Sequence, residues 1–198
     1  MTPAPDDAAS ARRGKADVVD AAMAVLDEHG IAGLSMRRIA DALDLQVSAL
    51  YWHFPNKQAL LAAVSARIVD GADAVRSDDL AAVAAALRNR LLAHRDGAEI
   101  VSSSLALGLL DLPARAHLVD AARRAGLADA AAGVAADTLV HFVIGFTFHE
   151  QQRLHAAVVG AAAPVADLSP ASADASPADD FAAGVELIVA GIRTAARA

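Results

Sequence analysis

Apolar residues in this chain recur every three or four positions, and nowhere do they alternate one by one. That spacing predicts an all-α protein. Val18, Ala22, Val25 and Leu26 make one apolar face over 16–29, while Asp17, Asp20, Asp27 and Glu28 stay off it. Gly30 follows as a helix C-terminal glycine would. Ser35 can cap a short helix over 36–43, Asp44-Leu45-Gln46 makes a tight connection, and 47–53 forms a second short helix. Pro55-Asn56 starts a long helix with Leu60, Leu61, Val64 and Ile68 on one face. Further helices are expected over 80–94, 97–110, 114–125, 129–159 and 179–196. Residues 160–177, rich in Ala, Pro, Ser and Asp, read as a mobile loop.

The length, 198 residues, suits one or two domains and a core that needs no staples. Aromatics are 4%, so alanine, leucine and valine must fill that core. No cysteine is present, which excludes a disulfide scaffold, a zinc finger, an iron–sulfur site and a thiol nucleophile. Residues 1–10 lack the basic region and apolar core of a targeting segment. The stretch 130–148 is apolar and long enough to span a bilayer, yet carries Asp137 and His141 in its middle. A central aspartate is costly in lipid, so a helix buried in a bundle is expected instead. The expected compartment is the cytoplasm.

The two short helices have the proportions of a helix-turn-helix. Ile39, Leu43, Leu45 and Leu50 would pack the pair against the first helix. Arg37, Val47, Ser48, Ala49, Tyr51, Trp52 and His53 then lie on or near the outer surface. Arg37 can reach base edges, and Lys57 sits at a helix start suited to a phosphate. The same spacing also fits aromatics packed inside an ordinary helical domain. Net charge is −7, which by itself argues against nucleic acid. Over 10–60, however, Arg12, Arg13, Lys15, Arg37, Arg38 and Lys57 balance Asp17, Asp20, Asp27, Glu28, Asp41 and Asp44. A neutral domain whose bases flank two short helices can bind DNA, with weak steering and moderate salt dependence.

The runs Gly33-Leu34-Ser35-Met36-Arg37-Arg38-Ile39-Ala40-Asp41-Ala42-Leu43 and Leu50-Tyr51-Trp52-His53-Phe54-Pro55-Asn56-Lys57-Gln58-Ala59-Leu60-Leu61 closely resemble the DNA-binding domain of the tetracycline repressor (TetR) family. His94-Arg95-Asp96-Gly97-Ala98, His141-Phe142, Gly145, Glu150-Gln151 and the run from Gly184 to Gly191 are similar to the C-terminal domain of the branch around the tetracycline repressor. The resemblance covers nearly the whole chain. It implies a helix-turn-helix domain over 11–71 and a regulatory, ligand-binding and dimerisation domain over 72–198. It implies a ligand-responsive regulator, most simply a repressor, with Ser35, Arg37, Arg38, Val47, Ser48, Ala49, Tyr51, Trp52, His53 and Lys57 at the DNA. It also implies a homodimer whose recognition helices sit roughly 34–36 Å apart, or a multiple of it, on a near-palindromic operator. Two copies of the apolar helices 129–159 and 179–196 would make a four-helix interface, although both could be interior helices of a monomer.

A small-molecule effector inside the C-terminal half follows from the same resemblance. The residues expected to face that interior are Leu87, His94, Ile100, Val101, Ser104, Leu107, Phe142, Phe146 and His149. Mostly apolar walls with a few hydroxyl and imidazole groups suit a hydrophobic molecule. Val101 falls where the family's drug pocket carries a metal-binding histidine, and His149 where a glutamate reaches the metal through water. Asp73 and Val83 fall at positions that grip the drug's other edge, and Leu87 at an aromatic wall. Glu150 lies one residue from the lost carboxylate. Valine has no lone pair for magnesium and imidazole suits it poorly, so magnesium-tetracycline is not the expected effector. Val47-Ser48-Ala49 replaces a Gln-Pro-Thr recognition run, so the operator should differ too.

Asp137 and His141 stand four apart with His149 two turns further on, but no third ligand converges, and no metal or cofactor is expected. His149-Glu150 comes with neither nucleophile nor phosphate loop, so no enzyme is expected. The competing class is a helical small-molecule-binding protein or enzyme without DNA function.

Overall fold

A computed structural model describes residues 14–71, 79–158, 160 and 176–197 of the chain. Residues 161–175 of the expected mobile loop lie outside the described residues, as do Arg12, Arg13 and Asp73. The helices are α1 Lys15–Gly33, α2 Met36–Leu43, α3 Val47–His53, α4 Lys57–Val69, α5 Leu80–Leu92, α6 Gly97–Ala106, α7 Pro113–Arg124, α8 Asp129–Val158 and α9 Pro177–Ala195. No strand occurs among the described residues.

The boundaries follow from capping chemistry. The Ser35 hydroxyl accepts from the Arg38 N–H at 3.2 Å and starts α2. Asn56 Oδ1 accepts from the Ala59 N–H at 2.8 Å and starts α4. Asp79 does the same for α5 through the Ala81 N–H. Pro113 stands in the first turn of α7, where its missing N–H costs nothing. Ser176 and Asp179 form a reciprocal capping box on α9. Those bonds, first from the Ser176 hydroxyl, hold the Asp179 carboxyl below the usual carboxylate range. Gly30 takes φ +70°, a left-handed conformation that kinks the end of α1 and needs no Cβ.

Packing divides the chain into two compact units. One is made of residues through Ile68 together with His94–Asp111, the other of Val69–Ala93 and the residues from Leu112 on. The first therefore contains α1 to α3, nearly all of α4, and α6. Its core holds Val18, Leu26, Ile39, Leu50, Phe54, Leu60, Val64 and Ile100. The second contains α5, α7, α8 and α9, with α8 packed against the other three. Its core holds Val83, Leu87, Leu91, Leu118, Leu139, Val143, Phe181 and Val189. The helix α8 is long and apolar enough to cross a membrane. Ala132, Ala136, Leu139, Val143, Ile144 and Thr147 along it are nonetheless buried, as in the central helix of a bundle.

Candidate nucleic-acid interface and effector site

The helices α2 and α3 are joined by Asp44, Leu45 and Gln46, and Asp44 takes φ 56°, which turns the Leu45 N–H back onto the Ala40 carbonyl at 2.9 Å and closes the end of α2. Ile39, Leu43 and Leu50 point inward. Phe54 is buried just after α3, with the Lys15 ammonium 5.0 Å from its ring centre. This fixes α3 as a short helix with a buried spine and an open flank. On that flank Trp52 is 90% exposed and Tyr51 49%. Arg37 and Ser48 are exposed, and Val47, Ala49 and His53 half-buried. Lys57 is exposed as the first residue of α4. Two of the expected DNA residues are already engaged locally. Ser35 caps α2, and the Arg38 guanidinium donates to the Gly33 carbonyl at 3.1 Å. A large exposed indole costs solvation unless a partner covers it, which marks this flank as a contact surface.

The nine expected effector residues are distributed over both units. Leu87 is fully buried on α5. Phe142 and Phe146 pack with Phe181 in a trio whose ring centres are 5.5–5.8 Å apart. These three belong to the second unit. His94, Ile100, Val101 and Ser104 belong to the first. There His94 Nδ1 lies 3.2 Å from the Asp27 carboxylate, and Ser104 Oγ lies 2.8 Å from Ser65 Oγ. Ile100 and Val101 are fully buried.

The expectation of inward-facing side chains fails for two residues. Leu107 stands 60% exposed, because α6 ends at Ala106 and Gly108, at φ +65°, turns the chain away. His149 is exposed as well. Its neighbour Glu150, rotated roughly 100° further round the helix, takes the inward position. The Glu150 carboxylate receives Arg88 Nη2 at 2.7 Å and Arg88 Nε at 3.1 Å, and the Arg88 guanidinium lies 5.0 Å from the Phe181 ring centre.

One candidate was missed in the sequence. His117 Nδ1 is buried with no hydrogen-bond partner among the described residues. The signal was present: Ala114, Leu118 and Ala121 form the buried stripe of α7, and His117 lies beside it. Asp137, weighed above for metal binding, is held by Arg115 through Nε at 2.5 Å and Nη2 at 3.0 Å. The hydrogen bond from Arg115 keeps its carboxyl below the usual carboxylate range. Among the described residues no three His, Asp or Glu side chains come together to hold a metal.

Between α8 and α9 runs an apolar groove of about 570 Å³, lined by Ala131, Val134, Thr138, Leu187, Ile188 and Ile192 among others. Val134 is 67% exposed there and Leu187 77%.

Residues 18–64 match the family described as bacterial regulatory proteins, tetR family. Residues 72–196 match the tetracyclin repressor-like C-terminal domain. The chain is 33% identical over 195 residues to the class A tetracycline repressor protein from transposon 1721 of Escherichia coli, covering 88% of each sequence. Among solved structures it resembles Mycobacterium smegmatis BioQ, at 41% identity and a TM-score of 0.79, covering 93% of this chain and 99% of that one. A second similar structure is BioQ with its natural double-stranded DNA operator, at 39% identity and a TM-score of 0.75 over 92% of this chain and 99% of that one.

Proposed function

The chain belongs to the TetR family of bacterial regulatory proteins, and from that premise we propose that it is a homodimeric repressor released from a near-palindromic operator by a hydrophobic small molecule. The observation that carries the DNA part is the open flank of α3. An almost fully exposed Trp52 beside Tyr51, with Arg37, Ser48 and Lys57 exposed in the same unit, suits a duplex. Lys57 at the start of α4 adds an ammonium to the positive end of a helix, which suits a phosphate. Ser48 and Ala49 face bases, and Arg37 and Tyr51 make further contacts. Val47, Trp52 and His53 border that surface, while Ser35 and Arg38 position α2 at it. BioQ, crystallised with its operator, supports the same use of a similar chain.

The groove between α8 and α9 is the dimer surface in this proposal. It is apolar, it sits on two helices of adequate length, and a second copy would cover it symmetrically. The effector is apolar with at least one hydrogen-bonding group. Within the second unit Leu87, Phe142 and Phe146 supply carbon surface, and His117 Nδ1 has no hydrogen-bond partner among the described residues. Val101 offers magnesium no lone pair, and Glu150, the nearest carboxylate to the lost one, is committed to Arg88. Magnesium-tetracycline is therefore not the effector. The assignment includes no catalytic activity, and a regulator acting on chromosomal DNA works in the cytoplasm.

The test is a gel shift with duplexes from the DNA flanking the gene, then titration of the complex with a tetracycline plus magnesium. A shifted, palindrome-containing fragment that magnesium-tetracycline does not release is the expected result. Absence of any shift would favour a helical binding protein without DNA function, and tight magnesium-dependent release would refute the effector assignment.

A further inference from the structure

Four polar side chains are buried among the described residues: Ser65, Asp96, Ser104 and Thr147. Thr147 donates back to the Val143 carbonyl of its own helix and joins nothing else through that bond. The other three lie where α6 meets α1 and α4. Asp96 Oδ2 accepts the Ile31 N–H at 2.8 Å, just past the Gly30 kink. Ser65 Oγ donates to the Ile100 carbonyl at 3.2 Å and lies 2.8 Å from Ser104 Oγ.

We propose that the Ser65–Ser104 hydroxyl pair is a register pin that fixes α4 on α6 and thereby sets DNA affinity, both serines acting as positioning residues. Proton arithmetic orients the pair. Each hydroxyl has one proton. Ser65 gives its proton to the Ile100 carbonyl, so Ser104 gives its own to Ser65 Oγ. Ile100 and Ser104 are four apart and share one face of α6, so Ser65 is gripped at two points by a single turn. Sliding α6 by one residue moves each partner roughly 1.5 Å along the axis and turns it about 100°. Both bonds would break, and each hydroxyl would have to fall back on a carbonyl of its own helix, losing the contact between α4 and α6. Leucine or alanine at these positions would slip past one another at far lower cost, since apolar contact is not directional.

The position of the pin gives it a consequence for DNA. Lys57 opens α4 eight residues before Ser65, roughly 12 Å along the same helix. Ser65 is fully buried while Lys57 is exposed, so α4 is held at one end and presents a cation at the other. At its own start α6 is bound to the end of α1 through Asp96. The helix α6 thus spans two elements of the DNA-binding unit. Without the pin α4 samples more positions, the DNA-competent arrangement becomes a smaller fraction, and apparent affinity falls by that fraction. Ser104, expected in the sequence to touch the effector, is spent on this contact. The inference rests on the DNA-binding role proposed for this unit.

The test uses the full-length protein and a duplex that the wild-type protein enriches from a random-sequence pool. Ser65→Ala leaves the Ser104 hydroxyl able to turn to the Ile100 carbonyl of its own helix, so the variant should fold. Expected is an operator Kd raised roughly three- to tenfold, with a melting temperature within a few degrees of wild type. The Ser65→Ala/Ser104→Ala double variant should weaken binding no further than Ser65→Ala alone, and amide exchange in α4 and α6 of the free Ser65→Ala protein should quicken. A Kd within twofold of wild type, tighter binding, or additive losses would overturn the pin. If the wild-type protein enriches no duplex, the DNA-binding role fails instead. The exchange data then decide the pin alone, and unchanged protection in α4 and α6 refutes it.

Discussion

Arg88 and Glu150 form a two-pronged ion pair inside the second unit, with side chains only 11% and 12% exposed and the guanidinium lying over the Phe181 ring. The pair joins α5 to α8 beside the Phe181 ring. Removing one partner strands a charge, whereas replacing both with hydrocarbon does not. Glu150→Ala should therefore cost about 3–5 kcal/mol, which for a chain of this size lowers the melting temperature by roughly 6–20 °C. Arg88→Met/Glu150→Leu should recover most of that loss. Thermal denaturation followed by circular dichroism measures both, and equal losses in the single and double variants would contradict the argument.

Trp52 is the sole tryptophan and is 90% exposed. Its fluorescence reports the recognition surface with no background. Operator binding should shift or quench the emission and protect the indole from iodide. Tyr51→Ala and Lys57→Ala should each weaken operator binding, Lys57→Ala by about the same factor on every sequence, and Ser48 changes should alter which sequence is preferred. Unchanged affinity in both alanine variants would remove the helix-turn-helix from the DNA.

Leu187 is 77% exposed on α9, so Leu187→Glu asks nothing of the isolated chain's core. In a dimer closed over this groove the same carboxylate would be buried without a partner. Light scattering should show a folded monomer for Leu187→Glu and a dimer for the wild type at micromolar concentration. Gly184→Ala serves as the contrast. A Cβ there would run into the Phe142 ring, so that change should lower stability by about 1–3 kcal/mol through overpacking.

The Arg115–Asp137 pair makes stability depend on acidity in one direction. The Asp137 carboxyl is depressed in the folded chain, chiefly by the hydrogen bond from Arg115. Its contribution is therefore complete above the ordinary carboxylate range and is lost as pH falls through the lower folded value. Asp137→Asn should lower stability slightly on the neutral side, slightly because both side chains are partly open to water, and the two proteins should converge as pH falls. Urea melts at pH 3 to 7 would show it. A difference between the two proteins that grows towards low pH would contradict the sign.

The helices and most of their starts were legible residue by residue, since capping is local, whereas α6 ends at Ala106, short of the expected 110. Ser35, Asn56, Asp79, Pro113 and Gly126 act within a few positions of themselves, and their chemistry needs no distant partner. The outward flank of α3 was equally legible, because Leu50 fixes the inward direction and the period of the helix does the rest. The interior of the C-terminal half was not. His149 and Glu150 are adjacent, and spacing alone does not say which of two neighbours beside a long apolar stripe turns inward. Arg88 on α5 decides it by offering Glu150 a buried partner.

Sequence by itself thus determined the all-α class, the helix-turn-helix and its exposed aromatics, because these depend on periodicity and on caps a few residues apart. Only the tertiary structure decided that His94–Asp111 belongs with the DNA-binding unit and that Ser104 meets Ser65. Those contacts join residues 39 or more positions apart. They exist because a buried polar group must find a partner wherever the packed chain supplies one.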